Sequence, residues 1–185
     1  MLPELLQSTN LFRLLHLIDI DLAKQQQLAG CPFCGGPLHH SNYERKPRGG
    51  PETLPEDICV RLSFCCGKGN CRRRTLPAST LFMDQRVYFR GVILIILTLR
   101  QKFPRENSKA QLMRRFGVSR KTINRWQGFF RDTFPFGTLW QRLRGVISTD
   151  VSNNELPGEL VVYFIEHVKS AEEALVSCLA FLARG

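Results

Sequence analysis

The chain has 185 residues, 43% of them hydrophobic, with a formal net charge of +10 and a sequence pI near 9.7. That length holds one domain plus a small metal-stapled module, and the apolar fraction is that of a soluble folded protein. The apolar run Val92–Leu99 is eight residues set between Arg90 and Arg100, far too short to span a bilayer, so a membrane role is excluded from the reading.

The amino terminus carries Pro3 and Glu4 and no basic leader, so no secretory signal is expected. With no sign of export, the seven cysteines point to metal rather than to disulfides. The first periodic segment runs from Leu11 to Leu28. Leu11, Leu14, Leu15, Ile18 and Leu22 would share one helical face, Asn10 could cap the helix and Gly30 stops it. Residues 1–30 are therefore read as an amino-terminal helix that covers the metal module or starts the core.

Residues 31–81 read as a metal module. Cys31-Pro32-Phe33-Cys34-Gly35-Gly36 places two thiols at a spacing that lets both reach one ion, and the glycines permit the tight turn that aims amides at the sulfurs. The second half is Cys65-Cys66-Gly67-Lys68-Gly69-Asn70-Cys71. Cys71 is the clear ligand. Cys66 is favoured as its mate because it is nearer to the compact spacing, although strand alternation puts it on the face of Leu62 and Phe64. Cys65 remains an alternative, as do His39 and His40 in a site of three cysteines and one histidine. Between the halves, Glu44–Asp57 is rich in Pro, Gly and charge and reads as a loop. Cys59–Cys66 and Arg72–Leu76 read as strands of a hairpin turned at 67–70. The ion expected is structural Zn2+ on Cys31, Cys34, Cys66 and Cys71. Four cysteine ligands leave no open position for a water nucleophile. Metal-free thiols and a Cys31–Cys34 redox pair are the competing readings. Cys59 and Cys178 read as buried free thiols.

Residues 85–131 carry the charge. From Arg100 to Arg131 there are 10 Lys and Arg against 1 Glu, whereas residues 132–185 hold 4 against 7 acidic groups. Such a localised basic stretch suits a phosphate backbone. Helices are predicted over Gln85–Gln101, Arg105–Phe116 and Ser119–Phe130. Leu112 and Phe116 would face inward, Gly117 would supply a left-handed turn, Val118 would plug it and Ser119 would cap the last helix. Ile123 and Trp126 then form its buried side. This is the spacing of a helix-turn-helix. Met113 departs from the usual small residue at that place, and its flexible side chain can adapt. On the exposed side, Arg120, Lys121 and Asn124 are the candidate base readers, with Arg suiting guanine and Asn adenine. Ser119 and the helix amino terminus can meet a phosphate, and Thr122 belongs to the same polar DNA-binding side. Arg114, Arg115 and Arg125 are candidate backbone contacts, as are Arg72, Arg73 and Arg74 beside the second cysteine pair.

Residues 132–185 read as a carboxy-terminal helical segment. Thr138–Ile147 is predicted as a short helix, Ser148–Glu159 as a loop and Leu160–Leu182 as one or two helices broken at Ser170. Leu160, Val161, Phe164, Val168, Ala171, Leu175, Leu179 and Leu182 form an apolar face. That face either packs on its own domain or docks a second copy or a recombinase, and a homodimer would suit a palindromic site. The acidic residues here are Asp132, Asp150, Glu155, Glu159, Glu166, Glu172 and Glu173. Two-metal phosphoryl transfer needs carboxylates gathered from several strands of a larger scaffold, so no catalytic residues are expected.

The fold class expected is thus mainly α with a small β zinc ribbon and a helix-turn-helix core. CPFCGG and CCGKGNCRRR resemble the two halves of a zinc ribbon, and SRKTINRW resembles a recognition helix. Together, over Cys31–Phe130, they look like the DNA-binding front end of bacterial transposases. They also resemble small accessory proteins of mobile elements, including those beside tyrosine recombinases. The resemblance implies double-stranded DNA as partner, with the ends of an element or its own promoter as the site. It also implies a recombinase or transposase as a second partner and a nucleoid-associated place in the bacterial cytoplasm. A nucleic-acid-processing enzyme fragment and an RNA-binding protein are the alternative functions.

Overall fold

The computed structural model describes residues 2–83, 86–147 and 151–184. The proposed helix start at Gln85 and the first residues of the proposed loop, Ser148–Asp150, lie outside them. In chain order the elements are α1 (Leu2–Leu5), α2 (Thr9–Ala29), β1 (Leu38–His40), β2 (Tyr43–Glu44), β3 (Val60–Arg61), β4 (Phe64–Cys66) and β5 (Arg74–Thr75). Then come α3 (Arg90–Lys102), α4 (Lys109–Phe116), α5 (Arg120–Asp132), α6 (Thr138–Leu143), α7 (Gly158–His167) and α8 (Ala171–Arg184). The architecture is mainly helical, with a small antiparallel sheet beside a cysteine cluster.

Helix α3 is the hub. Every residue from Gly91 to Leu99 is buried, which is what a helix apolar on all sides requires. It packs against α4, α5, α7 and α8. It begins at Arg90 rather than at Gln85, because the backbone just before it is already paired. Arg48 N–H donates to the Val87 carbonyl at 2.9 Å, and Phe89 and Arg90 N–H groups donate to the carbonyls of Arg48 and Leu81. The Val87 carbonyl is thus taken by Arg48, and Phe89 is extended at φ −56°, ψ 144°, so the helix starts after it.

Helix α2 is capped by Ser8, whose Oγ accepts from Leu11 N–H at 3.2 Å, and not by Asn10. Its buried face is also rotated from the expected one. Phe12, His16, Asp19 and Ala23 point inward with Leu11 and Leu15, while Leu14 is 43% exposed. The reason is tertiary: Phe12 meets Phe89 edge to face at 4.7 Å, and Asp19 receives the hydroxyls of Ser79 and Thr80. A buried carboxylate with several donors outweighs the gain from turning one more leucine inward.

The expected strand over Cys59–Cys66 is divided. Residues 56–59 form a 3-10 turn, β3 pairs with β2, and β4 pairs with β1 and β5 in the order β1-β4-β5. The β4–β5 pair is the anticipated hairpin, with Cys65 opposite Arg74. Strand β1, with Leu38 opposite Cys66, was not anticipated.

The helix expected over Arg105–Phe116 starts later. Ser108 and Gln111 cap it reciprocally: Ser108 Oγ accepts from Gln111 N–H at 3.3 Å and Gln111 Oε1 accepts from Ser108 N–H at 2.7 Å. The carboxy-terminal segment forms two helices. Ser170 caps the second, its Oγ accepting from Glu173 N–H at 3.1 Å. Leu160, Val161, Leu175, Leu179 and Leu182 are buried in the main core, so the inner face of this segment packs on its own chain.

Candidate metal centre and basic helical face

The four Sγ atoms of Cys31, Cys34, Cys66 and Cys71 lie within 4.8 Å of one another. Cys31 and Cys71 are 3.8 Å apart and Cys34 and Cys66 3.5 Å apart. A tetrahedral ion with metal–sulfur bonds of about 2.3 Å would set its sulfurs about 3.8 Å apart, so this donor set fits a tetrathiolate metal. Strand register selects Cys66. It sits opposite Leu38 on the buried face shared with Phe64, and it is itself buried. The neighbouring Cys65 turns outward, its thiol 3.5 Å from the Arg72 carbonyl. His39 and His40 are exposed and stand outside the cluster. Strand alternation and membership of the cysteine cluster therefore agree, because the module's small core and the cluster meet in one place: Ala23, Cys31, Leu38, Phe64 and Cys66.

The two halves share one turn geometry. In the first, the N–H groups of Cys34 and Gly35 donate to the Cys31 carbonyl at 3.3 and 2.8 Å, with Gly35 at φ 66°. In the second, the N–H groups of Cys71 and Arg72 donate to the Lys68 carbonyl at 3.0 and 3.1 Å, with Arg72 at φ 49°. Lys68 thus occupies the corner that Cys31 holds in the first half. The cysteine missing from that corner comes from the end of β4, two residues earlier, as Cys66, which explains the four-residue gap. Lys68 Nζ donates to the Cys34 carbonyl at 3.1 Å and joins the halves. A Cβ on Gly36 would meet Lys68 Cγ at 2.9 Å and Cys66 Sγ at 3.1 Å, so this close approach needs glycine.

Burial pushes the Cys31 thiol up, but the N–H groups of Phe33 and Cys34 and the adjoining thiols outweigh it and hold the group down to about 7. Cys59 is half-buried, and burial raises its thiol. Cys178 is fully buried, and burial pushes its thiol up to about 12.

Around the second pair, Arg72, Arg73 and Arg74 are exposed. Arg73 stacks over the exposed Phe33 ring at 4.6 Å, and Arg74 lies over Tyr43 at 5.4 Å. Sequence reasoning left Phe33 out, although its place inside the C-x-x-C turn forces it to the tip.

The second cluster is the pair α4–α5. Gly117 between them has φ 61° and ψ 25°, the left-handed region. Val118 is buried, and Ser119 Oγ accepts from Thr122 N–H at 3.2 Å to cap α5. Ile123, Trp126 and Phe130 are buried, Trp126 edge to face with Tyr88 at 5.0 Å. Arg120, Lys121, Asn124 and Arg125 stand exposed together on the opposite side, and Ser119 and Arg114 are exposed as well. Arg115 is exposed but also bonded to Glu4 at 3.3 Å. Lys109 joins this face: its Nζ donates to Asn124 Oδ1 at 2.6 Å. No local sequence rule marks a contact between side chains fifteen positions apart.

Comparison of the chain with protein-family models, curated proteins and solved structures returned no match. Among the described residues, no helix is long and apolar enough to cross a membrane.

Proposed function

We propose that the chain is a non-catalytic, sequence-specific double-stranded DNA-binding protein, folded in part around a structural zinc ion. In this reading α4 and α5 are a helix-turn-helix and the cysteine module is a zinc ribbon. The observation that carries it is the division of α5. Its Ile123–Trp126–Phe130 side is locked in the core, while Arg120, Lys121, Asn124 and Arg125 project from the other side. A rigid helix with contiguous basic and amide groups, preceded by a tight turn, is what major-groove readout needs. Arg114 and Arg72–Arg74 would hold phosphates. The glutamates that approach each other, Glu155 and Glu159, share Lys102 Nζ, which supports an ion-pair role for them over metal catalysis.

The biological setting we propose is an accessory factor or regulator of a bacterial mobile element, acting beside a recombinase or transposase at the nucleoid. Mapping bound DNA across the genome of the native host, with an Arg120→Ala, Asn124→Ala double variant as control, tests it. Peaks at the ends of an element, lost in the variant, are the expected result. A single peak at the chain's own promoter would make it a repressor. Absence of specific peaks, or peaks unchanged in the variant, would overturn the recognition-helix reading.

A further inference from the structure

We infer that Lys109 and Asn124 read DNA as one cationic, donor-rich unit, which favours guanine over the adenine that a lone asparagine suits. The inference rests on the DNA-binding reading of α5 and names what that site selects. Lys109 opens α4 and Asn124 lies on the second turn of α5, so the turn at Gly117 folds one over the other. Lys109 Nζ donates to Asn124 Oδ1 at 2.6 Å. An ammonium has three donors and no acceptor, so only the oxygen of the amide can face it.

That bond changes what Asn124 offers. A free asparagine matches adenine by accepting from its N6 amino group while donating to N7. Here the accepting oxygen already holds a cation. Its second lone pair stays open, but an adenine amino group using it would bring positively polarised hydrogens beside the ammonium. The same repulsion disfavours the N4 amino group of cytosine. The remaining donors of the unit are those of Nδ2 and the other two on Nζ. Guanine presents two adjacent acceptors, N7 and O6, to such a pair, whereas thymine offers one acceptor and a methyl group. The positive charge strengthens the bond from Nζ to guanine.

The test is selection of bound duplexes from a randomised library by the full chain, its Lys109→Ala and Lys109→Met variants, and Asn124→Ala. Circular dichroism would confirm that each variant is folded. The wild-type chain is expected to enrich guanine at one position by roughly tenfold or more. Both Lys109 variants should lose that preference and move it toward adenine, leaving the other positions intact. Asn124→Ala should lose preference at the same position. Adenine enriched there by the wild type overturns the inference while leaving the DNA reading standing. So does a Lys109 variant that weakens binding to all sequences equally, which would make Lys109 a phosphate contact. Failure of the wild type to enrich any sequence overturns the DNA reading itself, and this inference with it.

Discussion

Thr80 is tied twice to Asp19, its N–H and its hydroxyl both ending on Asp19 Oδ1 inside the protein. Ser79 Oγ and Leu81 N–H reach the other carboxylate oxygen. This joint fixes α2 to the segment that leaves the cysteine module for α3. Along the same helix, Phe12 belongs to the main core and Ala23 to the core of the module. The clamp therefore sets the cysteine module and the helical core relative to each other. Asp19→Ala would leave these buried donors unmatched. We expect a loss of roughly 3 kcal/mol in stability, since charged hydrogen bonds contribute about 1.5–3 kcal/mol each and buried orphan donors cost more. Chemical denaturation would measure it, and a loss under about 1 kcal/mol would contradict the clamp.

Elemental analysis of the purified chain should find one metal ion per molecule. Serine at Cys31, Cys34, Cys66 or Cys71 should abolish binding or weaken it severely, and Cys65→Ser should not, because its thiol points out of the cluster. Chelation should free the four cluster thiols for alkylation. Cys178 should stay unreactive at pH 8 until the chain unfolds, as burial holds its thiol at about 12.

Gly117→Ala isolates backbone strain. A Cβ there would meet nothing within 4 Å, so crowding contributes nothing. The cost comes from a φ of 61° alone and should be about 1–2 kcal/mol. Thermal melts of the variant would show it as a lowered Tm, and an unchanged Tm would mean that the turn is not held in the left-handed region.

The ion pairs of Lys102 give a pH dependence with a defined sign. Its hydrogen bond holds the Glu155 carboxyl below the usual range. Burial lowers the Lys102 ammonium, but the bonds to Glu155 and Glu159 outweigh it and raise the group. The contribution from Glu155 is full above the ordinary glutamate value near 4.3 and fades as pH falls through the lower folded value. The contribution from Lys102 is full below about 10.4 and fades as pH rises through its raised value. Lys102→Met should thus cost up to about 1 kcal/mol near neutrality, a figure limited by the exposure of Glu155 to solvent and salt. The difference from wild type should shrink below about pH 4. A gap that is constant from pH 3 to 7 would show that the loss is one of packing.

If the proposed DNA-binding reading holds, Arg120 and Arg114 should separate on DNA. Arg120→Ala should cost about 1–3 kcal/mol on the preferred sequence and much less on random DNA. Arg114→Ala should weaken both alike and reduce the salt slope by about 1. Titrations at several salt concentrations would distinguish them, and identical behaviour would mean that the two arginines have the same role.

Some of this was legible because its causes are local. The turn at Cys31–Gly35 comes from residue types in direct succession. So do the left-handed Gly117 and the Ser119 cap, whose bonds reach three or four positions. The buried face of α5 was legible for a similar reason, since helical periodicity alone brings Ile123, Trp126 and Phe130 to one side. The S-x-x-Q cap of α4 is present in the sequence too, and it outweighs the start at Arg105 that helical patterning suggests.

Other features are set by distant chain. The inward turn of Phe12 and Asp19 depends on Phe89 and Thr80, some sixty to eighty residues away in sequence. The start of α3 at Arg90 depends on Arg48 and Leu81 holding the backbone before it. Strand alternation already puts Cys66 on the Phe64 face, and only pairing with Leu38 on β1 shows that this face and the cysteine cluster are one place. The bond from Lys109 to Asn124 likewise exists only once α4 has folded against α5. Residue type and near-neighbour spacing determine caps, turns and helix periods, because those rest on bonds a few positions long. Which face is buried, and which polar atom meets which, is decided by the partner that arrives from elsewhere in the chain, because desolvation must be matched atom by atom.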